Sequence, residues 1–208
     1  MILEEFIKKS PKAELHLHID GSLRKSTLQE WCPDLHVHSF GFRRVMTLNE
    51  CLACFGVTVG ALNSPDRIKR AVQEICEDQQ SIGVNQTELR FAPHIHGVPA
   101  LEMVEAATEG LDMHSNLILC GLYGEHPSKF ERLVEIAKDN KRVVGIDIAG
   151  GPKKTDKFGL HHYVDAYQEA KKYGIGRTAH VGEGRPATEI VDAILSLDLQ
   201  RLGHACSL

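Results

Sequence analysis

The sequence has no surplus of basic charge: 24 Lys and Arg stand against 28 Asp and Glu, a formal net charge of −4. That balance supplies neither the cationic stripe of a nucleic-acid binder nor a cationic membrane face. No apolar run approaches the length of a bilayer span. The opening MILEEFIKKS is too acidic, and too short in its apolar part, for a secretory signal. The expected compartment is therefore the cytoplasm. Without a secretory route the six cysteines, at 32, 51, 54, 76, 120 and 206, are expected to be free thiols. Cys51-x-x-Cys54 has no second CxxC to complete a zinc ribbon, and its apolar, helix-like setting points to core packing. There is no internal repeat, linker or low-complexity segment.

What is present fits one soluble domain over 1–208. Hydrophobic residues make up 42% and charged residues 25%, ordinary proportions, and 208 residues can bury one substantial core. Residues 1–10 read as a short helix and 12–18 as a strand. Helices follow over 22–31, over 48–62 with Thr47 and Glu50 as a capping box, and over 65–81 behind Pro65. The segment 34–46 reads as a surface loop. Strands over 86–91, 116–122, 142–148, 177–181 and 201–204 then alternate with helices over 99–114, 127–139, 160–173 and 186–197. Strands alternating with amphipathic helices predict βαβ units and a parallel sheet. The strands over 116–122 and 142–148 are near-continuous apolar runs, as expected when both sheet faces are covered.

The segment Pro11–Ser22 organises the rest. Its alternation puts Glu14, His16, His18 and Asp20 on one strand face and Leu15, Leu17 and Ile19 on the other. Two imidazoles two residues apart on one face can reach one metal ion. Ser22 is a plausible N-cap for the next helix. Polar groups at the C-terminal end of a strand sit where α/β barrels keep their active sites. Twelve histidines make chance pairs common, and His36/His38 and His94/His96 repeat the spacing. His36, His38, His161 and His162 read as surface residues. His94 and His96 follow a strand and read either as pocket lining or as solvated loop residues. Gly174-Ile175-Gly176 precedes a strand instead of following one, the wrong setting for a dinucleotide loop. Asn85-Gln86-Thr87 is a glycosylation sequon that only a secreted chain would use.

Near the other end stand His180-Val181-Gly182-Glu183 and Arg201-Leu202-Gly203-His204. With them, PKAELHLHIDGSL at 11–23, TELRFAPH at 87–94, VVGIDIAG at 143–150, RTAHVGEG at 177–184 and RLGHA at 201–205 resemble, in order, the adenosine deaminase family of zinc aminohydrolases. The resemblance covers nearly the whole chain. It implies a (β/α)8 TIM barrel, of which about six strand–helix units are legible here. The last two units are not, and the first and sixth strands are expected to offer open edges for self-association. The H-x-E…P-C-x-x-C pattern of the other zinc deaminases is missing.

The resemblance implies Zn2+ on His16, His18 and His180, with His18 also against the substrate. It implies Glu183 as proton donor to a purine ring nitrogen, and His204 as the group that orients and deprotonates the attacking water. It further implies Asp20 as acceptor of a sugar hydroxyl and Gly150 N–H as donor to the ring. On the residues alone, Glu183 also reads as a helix-terminal carboxylate, His204 as a core histidine, Asp20 as a helix cap and Gly150 as part of a plain turn. The family's further aspartate ligand, in a pattern like SxNTDDP, has no match, and Asp147 and Asp198 stand in the wrong context for it.

The implied function is zinc-dependent hydrolytic deamination of adenosine or deoxyadenosine, with a purine nucleoside as partner and neither nucleic acid nor membrane. The TLNECLACF stretch looks closer to the branch acting on N6-modified AMP, whereas HIDGS and HVGEG look closer to the adenosine branch. The alternative is an inactive fragment or pseudoenzyme that keeps zinc or purine binding.

Overall fold

The computed structural model describes residues 3–36, 45–153 and 155–207. His38 and most of the loop expected over 34–46 lie outside the described residues, while His36 is exposed. The chain divides into two units, Met1–Asn116 and Leu117–Leu208. No described helix is long and apolar enough to cross a membrane. All six cysteines are free, with Cys76 and Cys120 buried and Cys206 exposed.

The first unit opens with helix α1 (Leu3–Lys9) and strand β1 (Lys12–His18). Helix α2 (Lys25–Trp31) starts three residues later than Ser22 would set it. The Ser22 hydroxyl donates to the His18 carbonyl at 2.6 Å and tightens the turn after β1, and the N-cap position falls on Arg24, so Ser22 does not cap the helix. Helix α3 (Leu48–Ala61) has the expected capping box: Thr47 N–H donates to the Glu50 carboxylate at 2.7 Å, and Glu50 N–H to the Thr47 hydroxyl at 3.3 Å. Helix α4 (Pro65–Ser81) buries Ile68, Val72, Ile75 and Cys76 on one stripe. Each large aliphatic so placed contributes about 1.5–3 kcal/mol.

Strand β2 (Val84–Phe91) pairs with β1 in parallel, from Lys12 opposite Val84 to His18 opposite Arg90. Helix α5 (Ala100–Gly110) packs on α4 and stops four residues short of His114. There Asp112 accepts the His114 N–H at 3.0 Å, a local turn that competes with further helix. Trp31 packs beside the buried Leu28 and Ala61. The guanidinium carbons of Arg67 and Arg70 lie 5.2 and 5.6 Å from its ring centre. Arg70 also grips Glu30 at 2.7 and 2.8 Å and Glu74 at 2.9 Å, fastening α2 to α4.

The second unit is built on strands β3 (Ser115–Leu122) and β4 (Val143–Ala149), parallel from Leu117 opposite Val143 to Leu122 opposite Ala149. Helix α6 (Ser128–Asp139) connects them. The helix expected over 160–173 divides into a 3-10 turn, Leu160–His162, and helix α7 (Val164–Lys172). The strand expected over 177–181 divides as well, into β5 (Gly176–Arg177) and β6 (His180–Val181). It changes neighbours part-way. Thr178 N–H donates to Ile146 of β4 at 3.1 Å, whereas the Ala179 and Val181 carbonyls accept from Gly203 and Ala205 at 2.7 and 2.9 Å. Helix α8 (Ala187–Leu197) leads to β7 (Gly203–His204), shorter than the expected 201–204 and parallel to β6.

The core of this unit stacks Phe130 on Tyr163, with ring centres 4.1 Å apart, and sets Tyr167 beside them at 6.4 Å. The buried hydroxyls are satisfied: Tyr163 donates to Glu125 O at 3.0 Å and Tyr167 to Thr178 O at 2.9 Å. Gly121 on β3 is glycine because the Phe130 ring occupies the place of a side chain. Gly121→Ala is expected to overpack this layer, costing about 1–3 kcal/mol and lowering the melting temperature by about 3–10 °C. Calorimetry checks this, and an unchanged melting temperature would contradict the packing described.

Candidate active site

In the first unit, β1 carries His16 and His18 with ring centres 5.4 Å apart. Glu14, on the same face, accepts the His16 backbone N–H at 2.9 Å. Phe55 of α3 meets the His18 ring edge-on at 5.9 Å. Asp20 follows the strand and is buried. It does not cap α2, which has Arg24 at its N-cap position and no side-chain cap. Its Oδ1 is buried without a hydrogen-bond partner and lies 3.9 Å from His18 Nδ1. Burial raises the carboxyl to a pKa of about 6, against hydrogen bonds from the Asp20 and Gly21 backbone that act to lower it. A buried carboxylate oxygen lacking a donor is poised to accept one from a ligand.

His96 lies on the connection between β2 and α5, as expected, but is not solvated. It is 4% exposed, and its Nδ1 lies 3.3 Å from Val59 O near the C-terminal end of α3. That carbonyl also accepts the Leu62 N–H at 3.2 Å, so His96 adds a second contact to the helix end. His94 is half-buried in the short 3-10 turn Pro93–Ile95.

In the second unit, His180 on β6 is buried, and its Nδ1 lies 3.0 Å from Oδ2 of Asp147 on β4. Asp147 is wholly buried, and its Oδ2 also accepts from Cys120 Sγ at 3.7 Å. The carboxylate lies within ion-pair distance of Nδ1, the ring nitrogen on the other side from Nε2. Glu183 lies in the turn after β6, one-third exposed, with Oε2 3.5 Å from His204 Nε2. His204 ends β7 with its ring centre 5.1 Å from that of His180. Burial lowers its pKa below the ordinary histidine value, and the charge of Glu183 works in the opposite direction. With its side chain 30% exposed, it is not a core histidine. His204 and Ala205 have φ of +61° and +52°, left-handed backbone that non-glycine residues adopt at a cost and that clusters at functional sites. Gly150 follows β4 at φ +78°, a conformation suited to glycine. The structure therefore groups His16, His18 and Asp20 in the first unit and His180, Glu183 and His204 in the second.

The adenosine deaminase family profile matches residues 11–208. The chain belongs to the adenosine deaminase family. It is 33% identical to an adenosine deaminase of Clostridium acetobutylicum over 98% of this chain and 67% of that protein. It is 32% identical to a probable adenosine deaminase of Dictyostelium discoideum, of which it spans 29%. An adenine deaminase of Arthrobacter aurescens superposes with a TM-score of 0.81 at 22% identity, over 95% of this chain and 65% of that one. Arabidopsis ADAL, solved with IMP, gives 0.81 at 26% identity, over 98% and 67%. These likenesses bear out the α/β barrel class expected from the sequence.

Asp147, Tyr123, Arg185 and Glu189 hold the HVGEG turn, and none of them has a role assigned from the sequence. Asp147 is a lone carboxylate in the apolar run VVGIDIA, itself the signal, since buried acids are rare unless paired. Arg185 and Glu189 stand four residues apart, the spacing of a helical ion pair. Tyr123 carries no sequence signal of its role.

Burial is also the main cause that lowers the His96 pKa. Below about pH 6.5 the unfolded chain takes up a proton that the folded His96 resists, so stability falls as pH drops through that range. A charge on neighbouring His94 adds to the resistance. His96→Gln is expected to lose less stability than wild type between about pH 7 and about pH 5. Urea denaturation at the two pH values measures this, and identical losses would contradict the assignment.

Proposed function

We propose that this chain serves the hydrolytic deamination of a 6-aminopurine nucleoside, adenosine or deoxyadenosine first. Water and the 6-aminopurine become the 6-oxopurine and ammonia. The observation that carries the reading is the Glu183 carboxylate 3.5 Å from the His204 imidazole in a chain of the adenosine deaminase family. Glu183 holds a proton for the ring nitrogen beside that carbon, and His204 takes one from the attacking water. Asp20 accepts from a sugar hydroxyl with the oxygen that has no partner in the protein. Gly150 N–H donates to the purine ring, and His18 flanks the substrate.

The donor set fits a divalent ion. His16 and His18 share a strand face, and His180 is backed by a carboxylate at Nδ1, the support that metal-binding histidines commonly have. We assign Zn2+ to His16, His18 and His180. One solved relative, from Burkholderia ambifaria, is described as having bound Zn. Zinc supplies a Lewis acid that brings water towards ionisation near neutral pH.

A second reading takes an N6-substituted AMP. An Arabidopsis relative described as an N6-methyl-AMP deaminase matches 98% of this chain at 25% identity, and ADAL was solved with IMP. The third reading is a chain that keeps zinc or purine binding without turnover; the chain spans about two-thirds of its Clostridium relative.

Ammonia release from adenosine and from N6-methyl-AMP, with the zinc-loaded 208-residue protein, separates the three readings. Glu183→Gln and His204→Ala are each expected to lower kcat by about 100-fold or more. Full rate in either variant contradicts the role given to that residue. No release from either substrate by folded wild type favours the third reading.

A further inference from the structure

The turn that carries Glu183 is held by side chains that do no chemistry in the proposed reaction. The Ala179 and Val181 carbonyls face β7, so the carbonyl of His180 between them faces the opposite edge of the strand. On that edge β4 ends at Ala149. Side chains satisfy the carbonyl there. Tyr123 Oη donates to it at 2.8 Å, and Arg185 Nη2 donates to it at 2.8 Å. Arg185 Nη2 reaches the Tyr123 hydroxyl at 3.4 Å, and its guanidinium carbon stands 4.8 Å from the centre of the Tyr123 ring.

Glu189, on the first turn of α8, closes the loop. Both of its oxygens accept from Arg185 Nε at 2.7 Å, and Oε2 also accepts the Gly182 N–H at 2.9 Å. Arg185 and Glu189 are 12% and 16% exposed, so this ion pair is shielded from solvent more than a surface pair is. Ser207 adds donations to the carbonyls of Gly182 and Arg185. Glu183 itself makes none of these bonds. It is suspended between residues 182 and 185, both of which are tied down.

We propose that Tyr123, Arg185 and Glu189 are positioning residues for the proton donor. They fix the backbone on both sides of Glu183 so that its carboxylate is held against His204. The inference rests on the role of Glu183 proposed above, but the clamp has a readout that does not depend on turnover. A carboxylate on a fixed turn loses little entropy on reaching its working position, whereas a displacement of about 1 Å can cost up to about 100-fold in rate.

The test is amide hydrogen exchange of wild type, Arg185→Met and Tyr123→Phe, with steady-state kinetics beside it. Arg185→Met is expected to speed exchange across 181–185 by about 10-fold or more, and Tyr123→Phe by less, while α6 keeps wild-type protection. In an active enzyme kcat falls by about 10-fold or more with KM within about twofold, and Arg185→Lys recovers part of the loss. Unchanged exchange at 181–185 in Arg185→Met overturns the inference. So does faster exchange that extends through α6, which would make the clamp a support of the whole unit. So does a loosened turn with wild-type kcat. Wild type that releases no ammonia would sink the proposed function while exchange still decides whether the clamp exists.

Discussion

Asp147 is a carboxylate with no exposure to solvent, and a lone buried charge is not sustainable in a protein interior. It is tolerated on β4 because His180 stands 3.0 Å away and Cys120 points its thiol at the same oxygen. The pair crosses from β4 to β6 at the place where the split strand leaves β4 and takes up β7. The paired registers of β4 with β5 stop at Arg177, and this contact joins β4 to β6 beyond them. Breaking a buried pair from one side costs about 3–5 kcal/mol, because the remaining group is left uncompensated. The orientation of His180, and through it the path of the turn towards Glu183 and His204, depends on that contact.

Around this point the second unit divides its labour by depth. The aromatic stack of Phe130, Tyr163 and Tyr167 supplies bulk, and its hydroxyls reach out to backbone carbonyls. Above it lies the Asp147–His180 pair, then the Arg185–Glu189 pair, and then the partly exposed Glu183 and His204. Charge is least paired where it is most exposed to a ligand. In the first unit Asp20 differs: it is buried, and its Oδ1 has no hydrogen-bond partner and lies 3.9 Å from His18 Nδ1.

Much of this was legible in the sequence where local chemistry decides. The Thr47–Glu50 box, Pro65 at a helix start and the apolar stripe of α4 each follow from short-range rules, and each stands as expected. The motifs around His16, His18, His180, Glu183 and His204 were legible through their order along the chain. What escaped depends on partners distant in sequence. Ser22 has the chemistry of a cap, but it closes a turn on His18 and the helix begins only after Arg24. The 177–181 run reads as one strand because its sequence does not record that its two ends bond to different neighbours. The burial of His96 was not legible because the carbonyl it meets lies 37 positions earlier. Tyr123 and His180 are 57 positions apart and meet only once the sheet is formed.

Trp31, the single tryptophan, has the guanidinium groups of Arg67 and Arg70 over its ring. Its emission therefore reports the seating of α2 on α4. The charges over its face belong to Arg67 and Arg70, and both sit on α4. Intrinsic fluorescence of this protein is a local gauge of one helix contact in the first unit. Emission can shift when that contact loosens while the HVGEG turn is intact, and it can stay constant while that turn opens.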